Sequence, residues 1–254
     1  MIHVLRYALV VVYTILAGIP ACVLGLFGVG DFVVMGIGRT WVRAILWSCG
    51  IRVEVSGLEN VDRGRPSIFM SNHQSVFDIA AILSTVPVTV RFVAKRELTR
   101  IPLFGWALPL SGQIIVDRGN RAGAIESLRR GAERIRAGTN VIVFPEGTRS
   151  QTGSLSGFKS GGFHLALQAG VPIVPITVSG SQHITPKGSL KIHPGRVRVC
   201  FGKPIRTDDL QVEDRNRLKQ SVRDAILAGF DPELQPMGPR AARAAPEASE
   251  FPTA

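Results

Sequence analysis

An α/β domain with a mixed β-sheet flanked by helices, carrying an N-terminal hydrophobic helical membrane anchor, is the architecture this sequence predicts. Two observations predict it. From Arg52 onward, short runs rich in β-branched residues alternate with helical segments, the pattern of strands and helices that share one core. Ahead of them, residues 7–30 contain no charged residue, long enough to cross a hydrocarbon core of about 30 Å as one helix.

The apolar N-terminal run is interrupted by Gly18, Pro20, Gly25, Gly28 and Gly30, and Pro20 is expected to kink or break a helix there. Residues 32–38 continue the apolar character beyond Asp31. A second apolar stretch at 41–51 has Arg39, Arg43 and Arg52 dotted through it; these arginines, with Trp41 and Trp47, suit a membrane interface. A single spanning helix and a two-helix anchor that dips into one leaflet and returns both fit. A cleavable signal peptide does not, because the run exceeds a normal h-region.

Strands are predicted at 52–56, 67–70, 88–94, 113–116, 141–144, 173–178 and 197–201. Helices are predicted after Ser75, at 121–137, at 162–169 with Gly170 as C-cap, and at 210–227. The predicted organisation is an anchoring segment over 1–50, the α/β domain over 51–230, and a loose Pro- and Ala-rich tail over 231–254.

A formal net charge of +11 implies an anionic partner. Only 7% of the residues are aromatic and no nucleic-acid-binding pattern stands out, so lipid or phosphate is favoured and no nucleic acid is expected. Three widely spaced cysteines give neither a disulfide framework nor a metal motif, which places the domain in the cytosol. The arginines of the 121–137 helix are candidates to touch anionic headgroups.

The most informative pair is His73 and Asp78 in Ser71-Asn72-His73-Gln74-Ser75-Val76-Phe77-Asp78. Five residues along an ideal helix turn through about 500°, so the two side chains would diverge by roughly 140°. They meet only if the chain turns at the histidine and the helix starts just after it. Ser75 as N-cap, with Asp78 three residues on, supports that start. The carboxylate then accepts from one imidazole nitrogen and leaves the other free to take a proton.

A second constellation, Phe144-Pro145-Glu146-Gly147-Thr148-Arg149-Ser150, follows a predicted strand end, where α/β sheets place ligand loops. Gly147 allows close backbone approach, Thr148 and Ser150 offer hydroxyls, and Arg149 offers a planar fork that matches phosphate. Lys95, Arg118 and Lys159 add cations nearby in the pattern. No G-x-S-x-G elbow is present, since Leu155 holds the nucleophile position of Gly153-Ser154-Leu155-Ser156-Gly157. No P-loop or C-x-x-C occurs, and His73 has no obvious second zinc ligand, so no metal is expected.

Taken together, Asn72-His73 with Asp78, Lys95-x-Glu97-Leu98, the Phe144–Ser150 block and Val171-Pro172-Ile173-Val174-Pro175-Ile176, in this order, resemble the glycerolipid acyltransferases. Among these, the resemblance is greatest to the bacterial 1-acyl-sn-glycerol-3-phosphate acyltransferases, and it spans about residues 50 to 205. It implies transfer of a fatty acyl group from acyl-CoA or an acyl carrier protein to the sn-2 hydroxyl of lysophosphatidic acid, with no cofactor. It makes His73 the base and Asp78 its partner. Arg149, Lys95 and Arg118 become the candidates for the acceptor phosphate, with Gly147 and Thr148 shaping that pocket. Glu146 is expected to orient the arginine or the acceptor glycerol. Phe104, Trp106 and Leu108 are candidates to line an acyl groove continuous with the bilayer. The implied setting is the bacterial inner membrane, with the active site on the cytoplasmic face. Three rivals stay open: a sister enzyme acting on glycerol-3-phosphate or another lysophospholipid, a non-catalytic basic protein that only binds anionic lipid, and a hydrolase using the same dyad on water.

Overall fold

The computed structural model describes residues 2–29, 31–116, 121–186, 188–189 and 191–234. Arg118 and most of the expected tail lie outside them. Two helices come first, α1 (Ile2–Leu26) and α2 (Asp31–Ser48). The strands are β1 (Ile51–Ser56), β2 (Ile68–Ser71), β3 (Val90–Lys95), β4 (Ile114–Val116), β5 (Asn140–Val143), β6 (Ile173–Ser179) and β7 (Gly195–Phe201). Between and after them run α3 (Phe77–Thr85), α4 (Phe104–Leu110), α5 (Arg121–Arg136), α6 (Gly161–Ala169), α7 (Ser181–Ile184) and α8 (Arg215–Ala228).

The strands form one mixed sheet in the order β1-β7-β6-β2-β5-β3-β4. All neighbours are parallel except β6 and β7. The C-terminal ends of β6, β2, β5 and β3 therefore lie side by side along one edge, where open α/β sheets bind ligands.

Side-chain alternation divides the core into two layers. Phe69, Ile142, Val174, Ile176 and Val178 face α2 and α3 and pack with Val42, Ile45, Leu46, Ala81 and Ile82. Ile68, Met70, Val141, Val143 and Ile173 face α5, α6 and α8 and pack with Ile135, Phe163, Leu165, Leu218 and Val222. Each fully buried aliphatic or aromatic side chain contributes about 1.5–3 kcal/mol of transfer free energy. Gly170 closes α6 in the left-handed region at φ 63°, as the sequence predicts.

The N-terminal helices differ from expectation. α1 runs unbroken through Pro20; packing against α2 and α4 offsets the local cost of the proline, about 3 kcal/mol. The break falls instead at the 27–29 turn, where Gly28 has φ +66°. By length and composition α1 is able to cross a membrane, and it leaves Val4, Leu16 and Leu26 exposed, as is Phe27 just after it. α2 is a core helix: Met35, Val42, Ile45 and Leu46 are buried. Arg39 donates to the Val86 and Val88 carbonyls and Arg43 to Ser84, so both satisfy the C-terminal end of α3 and its following turn rather than marking an interface. Trp41 packs inward on Phe104 and donates to Thr14, whereas Trp47 is exposed.

Three further findings lay outside the sequence pattern. α4 was not expected; it follows Leu103, which takes a positive φ of 61°, and it sits so close to the preceding turn that a Cβ on Gly105 would lie 2.4 Å from the Leu98 carbonyl oxygen. Four of the α5 arginines are engaged within the protein: Arg129 and Arg130 with Glu126, Arg134 with the Gly112 carbonyl, Arg136 with that of Gln168. The Arg129 and Arg130 hydrogen bonds hold the Glu126 carboxyl down at about 2, so these two arginines are paired within the helix. Finally, residues 231–234 pack on the α/β domain. Asp231 is buried against Arg198 at 2.7 Å, and Gln182 donates to the Leu234 carbonyl; the rest of the expected tail lies outside the described residues.

Gly105→Ala should push α4 off the 98–99 backbone and lower stability by about 1–3 kcal/mol. Thermal unfolding in detergent, with an unchanged midpoint counting against the close approach, checks it.

Candidate active site

β2 ends at Ser71, and Asn72 continues its pairing with a side chain. The Asn72 amide donates to the Val178 carbonyl and accepts the Val178 N–H, both at 2.8 Å. With β6 satisfied by a side chain, the backbone is free to turn at His73.

Asp78 sits in the first turn of α3, fully buried, where the helix N-terminus favours negative charge. Its Oδ2 accepts three N–H groups: His73 Nδ1 at 2.8 Å, Gln74 N at 2.7 Å and Ser75 N at 2.9 Å. A carboxylate can only accept, so the proton of this contact rides on Nδ1. Among the described residues Nε2 has no partner. The predicted turn-then-helix geometry is therefore present, with one change. The helix starts at Phe77, and the Ser75 hydroxyl donates to the Thr185 carbonyl at 3.2 Å while accepting only a long 3.4 Å bond from Phe77 N. Asp78 reaches back to Ser75 as a capping box would.

The 144–150 loop, leaving β5 beside β2, holds His73 from the other side. Phe144 stacks on the imidazole at 4.2 Å between centroids. Glu146 Oε1 accepts the His73 backbone N–H at 2.7 Å, and the His73 carbonyl accepts Ser150 N–H at 2.7 Å. Glu146 Oε2 accepts Ser156 N–H at 2.9 Å. Glu146 is 3% exposed and does not line the neighbouring cavity. Both its oxygens accept backbone N–H groups, so Glu146 holds the two loops together. Gly147 has φ +72° and turns the loop. A Cβ there would meet the Lys159 side chain at 2.9 Å.

His73 opens on a cavity of about 780 Å³. Its apolar wall comes from α1, α2, α3 and α4, including Gly18, Trp41, Phe77, Phe104 and Leu108. Trp106 is excluded from it and faces solvent at 56% exposure, because it lies on the far side of α4 from Phe104 and Leu108. The candidates Lys95, Gly147, Thr148 and Arg149 line the same cavity. Among the described residues its lining includes Arg91, Lys95 and Arg149 but no Asp or Glu, a charge balance that favours an anion. Arg118 is outside the described residues.

Sequence reasoning missed Phe144, Arg91 and Thr185 as wall residues. Phe144 and Arg91 look like ordinary strand residues, and only the neighbouring strands show which way they face. Nothing in the local sequence marks Thr185.

Glu146→Ala leaves the His73 and Ser156 N–H groups without their acceptor, at about 1–3 kcal/mol for each buried donor. Denaturation of wild type and variant should show a loss of that size, whereas a Glu146 that served only substrate would leave stability unchanged.

A model of the family described as Acyltransferase matches residues 52–179. The chain is 39% identical over 191 residues to a chloroplastic 1-acyl-sn-glycerol-3-phosphate acyltransferase of Brassica napus, covering 73% of this chain and 55% of that protein. It is 38% identical over 197 residues to the alpha 1-acyl-sn-glycerol-3-phosphate acyltransferase of Bos taurus, covering 77% and 69%. The chain thus spans little more than half the length of some curated relatives it matches, 53% in the Arabidopsis thaliana case. The crystal structure of the 1-acyl-sn-glycerophosphate acyltransferase PlsC from Thermotoga maritima superposes with a TM-score of 0.78 at 28% identity, over 90% of this chain and 92% of that one. With the matched segment containing His73, Asp78 and the 144–150 loop, the chain belongs to the acyltransferase family.

Proposed function

We propose that this protein is a 1-acyl-sn-glycerol-3-phosphate acyltransferase, carrying a fatty acyl group from a thioester to the sn-2 hydroxyl of lysophosphatidic acid to give phosphatidic acid. The observation that carries the proposal is the His73–Asp78 pair, 2.8 Å apart, at a large apolar cavity whose charged lining residues are cations. The names of the relatives support the same substrate.

In the proposed reaction Asp78 holds the His73 tautomer, and Nε2 takes the proton of the acceptor hydroxyl as its oxygen attacks the thioester carbon. The tetrahedral intermediate collapses with loss of the thiolate, which recovers the proton from the imidazolium. Arg149 and Lys95, with Arg118, bind the acceptor phosphate, and Gly147 and Thr148 shape its pocket. The apolar wall takes the acyl chain, at about 0.8 kcal/mol for each buried methylene. The donor is acyl-CoA or an acyl carrier protein.

The proposed location is the bacterial inner membrane, with the site on the cytoplasmic face. α1 is bound to the catalytic domain along its length: Arg6 to the Ile192 carbonyl, Thr14 to Trp41, Cys22 to the Leu103 carbonyl, Gly25 against Leu110. That supports a hairpin seated in one leaflet over a helix that projects across the bilayer.

Purified protein given lysophosphatidic acid and oleoyl-CoA should form phosphatidic acid, and His73→Ala should lose about 10²–10⁴-fold or more in kcat. Full activity in the variant would end the dyad assignment. Turnover of another lysolipid but not lysophosphatidic acid would move the acceptor. In sealed vesicles, an N-terminal epitope should be cleaved by protease from the same side as the catalytic domain; protection of the epitope alone would mean a spanning α1.

A further inference from the structure

Outside the cavity, α4 and the 96–100 turn before it hold large apolar side chains in solvent. Trp106 is 56% exposed, Ile101 45% and Leu98 37%, and Pro102 and Pro109 beside them are also exposed. Ile101 and Trp106 belong to neither core layer. Clustered apolar exposure of this kind marks a surface that meets another apolar phase. Leu98 lines the cavity that holds His73 as well, so the patch meets the rim of the site. Arg96 and Arg100 are exposed at the two ends of the same turn.

Where the patch lies follows from how α4 meets α1. Gly18, Cys22 and Gly25 run along one line of α1 and meet α4. A Cβ on Gly18 would lie 3.5 Å from Leu103 Cβ, and one on Gly25 would lie 2.9 Å from Leu110 Cβ. Between them Cys22 Sγ donates to the Leu103 carbonyl at 3.7 Å. That seam divides the surface of each helix. On α1, Ala17 and Ala21 face the cavity on one side of it, while the exposed Ile15, Ile19 and Leu26 fall on the other. On α4, Phe104 and Leu108 face the cavity. Trp106 points about 160° away from either, at 100° per residue, and falls on the outer side. Two helices in contact share that outer side, so Trp106 continues the exposed apolar face of α1.

We propose that α4 and the 96–100 turn form a second membrane contact, seated in the lipid surface beside α1. The inference goes beyond the seating of α1 and rests on that reading. A lipid bilayer is the occupant that fits, because the patch is continuous with a helix long and apolar enough to enter one. Its composition agrees: tryptophan is favoured at the membrane–water interface, and Arg96 and Arg100 are placed to meet anionic headgroups. The contact has a mechanical consequence. One helix lying in a leaflet leaves the domain free to roll about that helix's axis. A second contact to the side of it stops the roll and holds the Leu98 rim of the cavity against the lipid.

The test uses full-length wild type and Trp106→Phe, reconstituted in vesicles of phosphatidylcholine and phosphatidylglycerol with and without brominated acyl chains. Trp41 and Trp47 are common to both proteins, so the difference in fluorescence between them is the Trp106 signal. The expected result is that both proteins float with the vesicles, that brominated lipid removes most of the Trp106 signal, and that aqueous iodide removes little of it. A Trp106 signal quenched by iodide but not by brominated lipid overturns the proposal and leaves the seating of α1 standing. A signal quenched by neither, with a dimer found by cross-linking, also overturns it, by assigning the face to a second copy of the chain. Failure of wild type to float would refute the membrane reading itself, and this inference with it. A nitroxide on Ile101→Cys, compared with labelled wild type for relaxation by oxygen and by an aqueous nickel chelate, makes the same decision without relying on Trp106→Phe: greater relaxation by oxygen is expected, and greater relaxation by nickel overturns the contact.

Discussion

The arrangement of the site depends on one buried carboxylate, that of Glu146, which joins two loops that leave neighbouring strands. It takes the backbone N–H of His73 with one oxygen and that of Ser156 with the other. Ser150 returns a hydrogen bond to the His73 carbonyl. The histidine is therefore held through its main chain by the loop after β5, while Asp78 holds its ring from α3. The two carboxylates act on different parts of the same residue. Asp78 sets the ring and its tautomer, and Glu146 sets the backbone. Both are nearly or fully buried, so most of their hydrogen bonds are made away from water, where an unmade bond is costly.

The cavity depends on tertiary packing in the same way. The sheet supplies the polar edge and, through Val90, Phe92, Val93 and Ala94, part of the apolar lining; the rest of the apolar wall comes from α1, α2, α3 and α4. α2 serves two roles at once, with Val42, Ile45 and Leu46 buried in the main core while Trp41 faces the cavity. The hydrophobic N-terminus is thus part of the catalytic domain's own packing, and the apolar wall is continuous with the helix that leaves Val4, Leu16 and Leu26 uncovered. Under the proposed reaction, a long acyl chain has the apolar side chains of α1 to pack on, which offsets the cost of hydrating methylenes.

Much of this was legible from the residues alone. Strand positions followed from short β-branched runs, α6 from its Gly170 cap, and the dyad from a five-residue spacing that no continuous helix satisfies. These are local properties, set by backbone sterics and by periodicity. The order of strands in the sheet was not legible, nor were the consequences of that order. Glu146 reads as one more polar loop residue until β2 and β5 are known to be neighbours. Pro20 reads as a break until α2 and α4 are placed against α1. Arg39 and Arg43 read as interfacial cations until the end of α3 supplies carbonyls for them, and Thr185 carries no local mark at all. By itself the sequence determined the elements, the chemistry of the dyad and the apolar character of the N-terminus. The tertiary structure decided which buried donor meets which acceptor, because such partners lie a hundred or more residues apart in the chain, 106 for Asn72 and Val178, and only the strand order brings them within 3 Å.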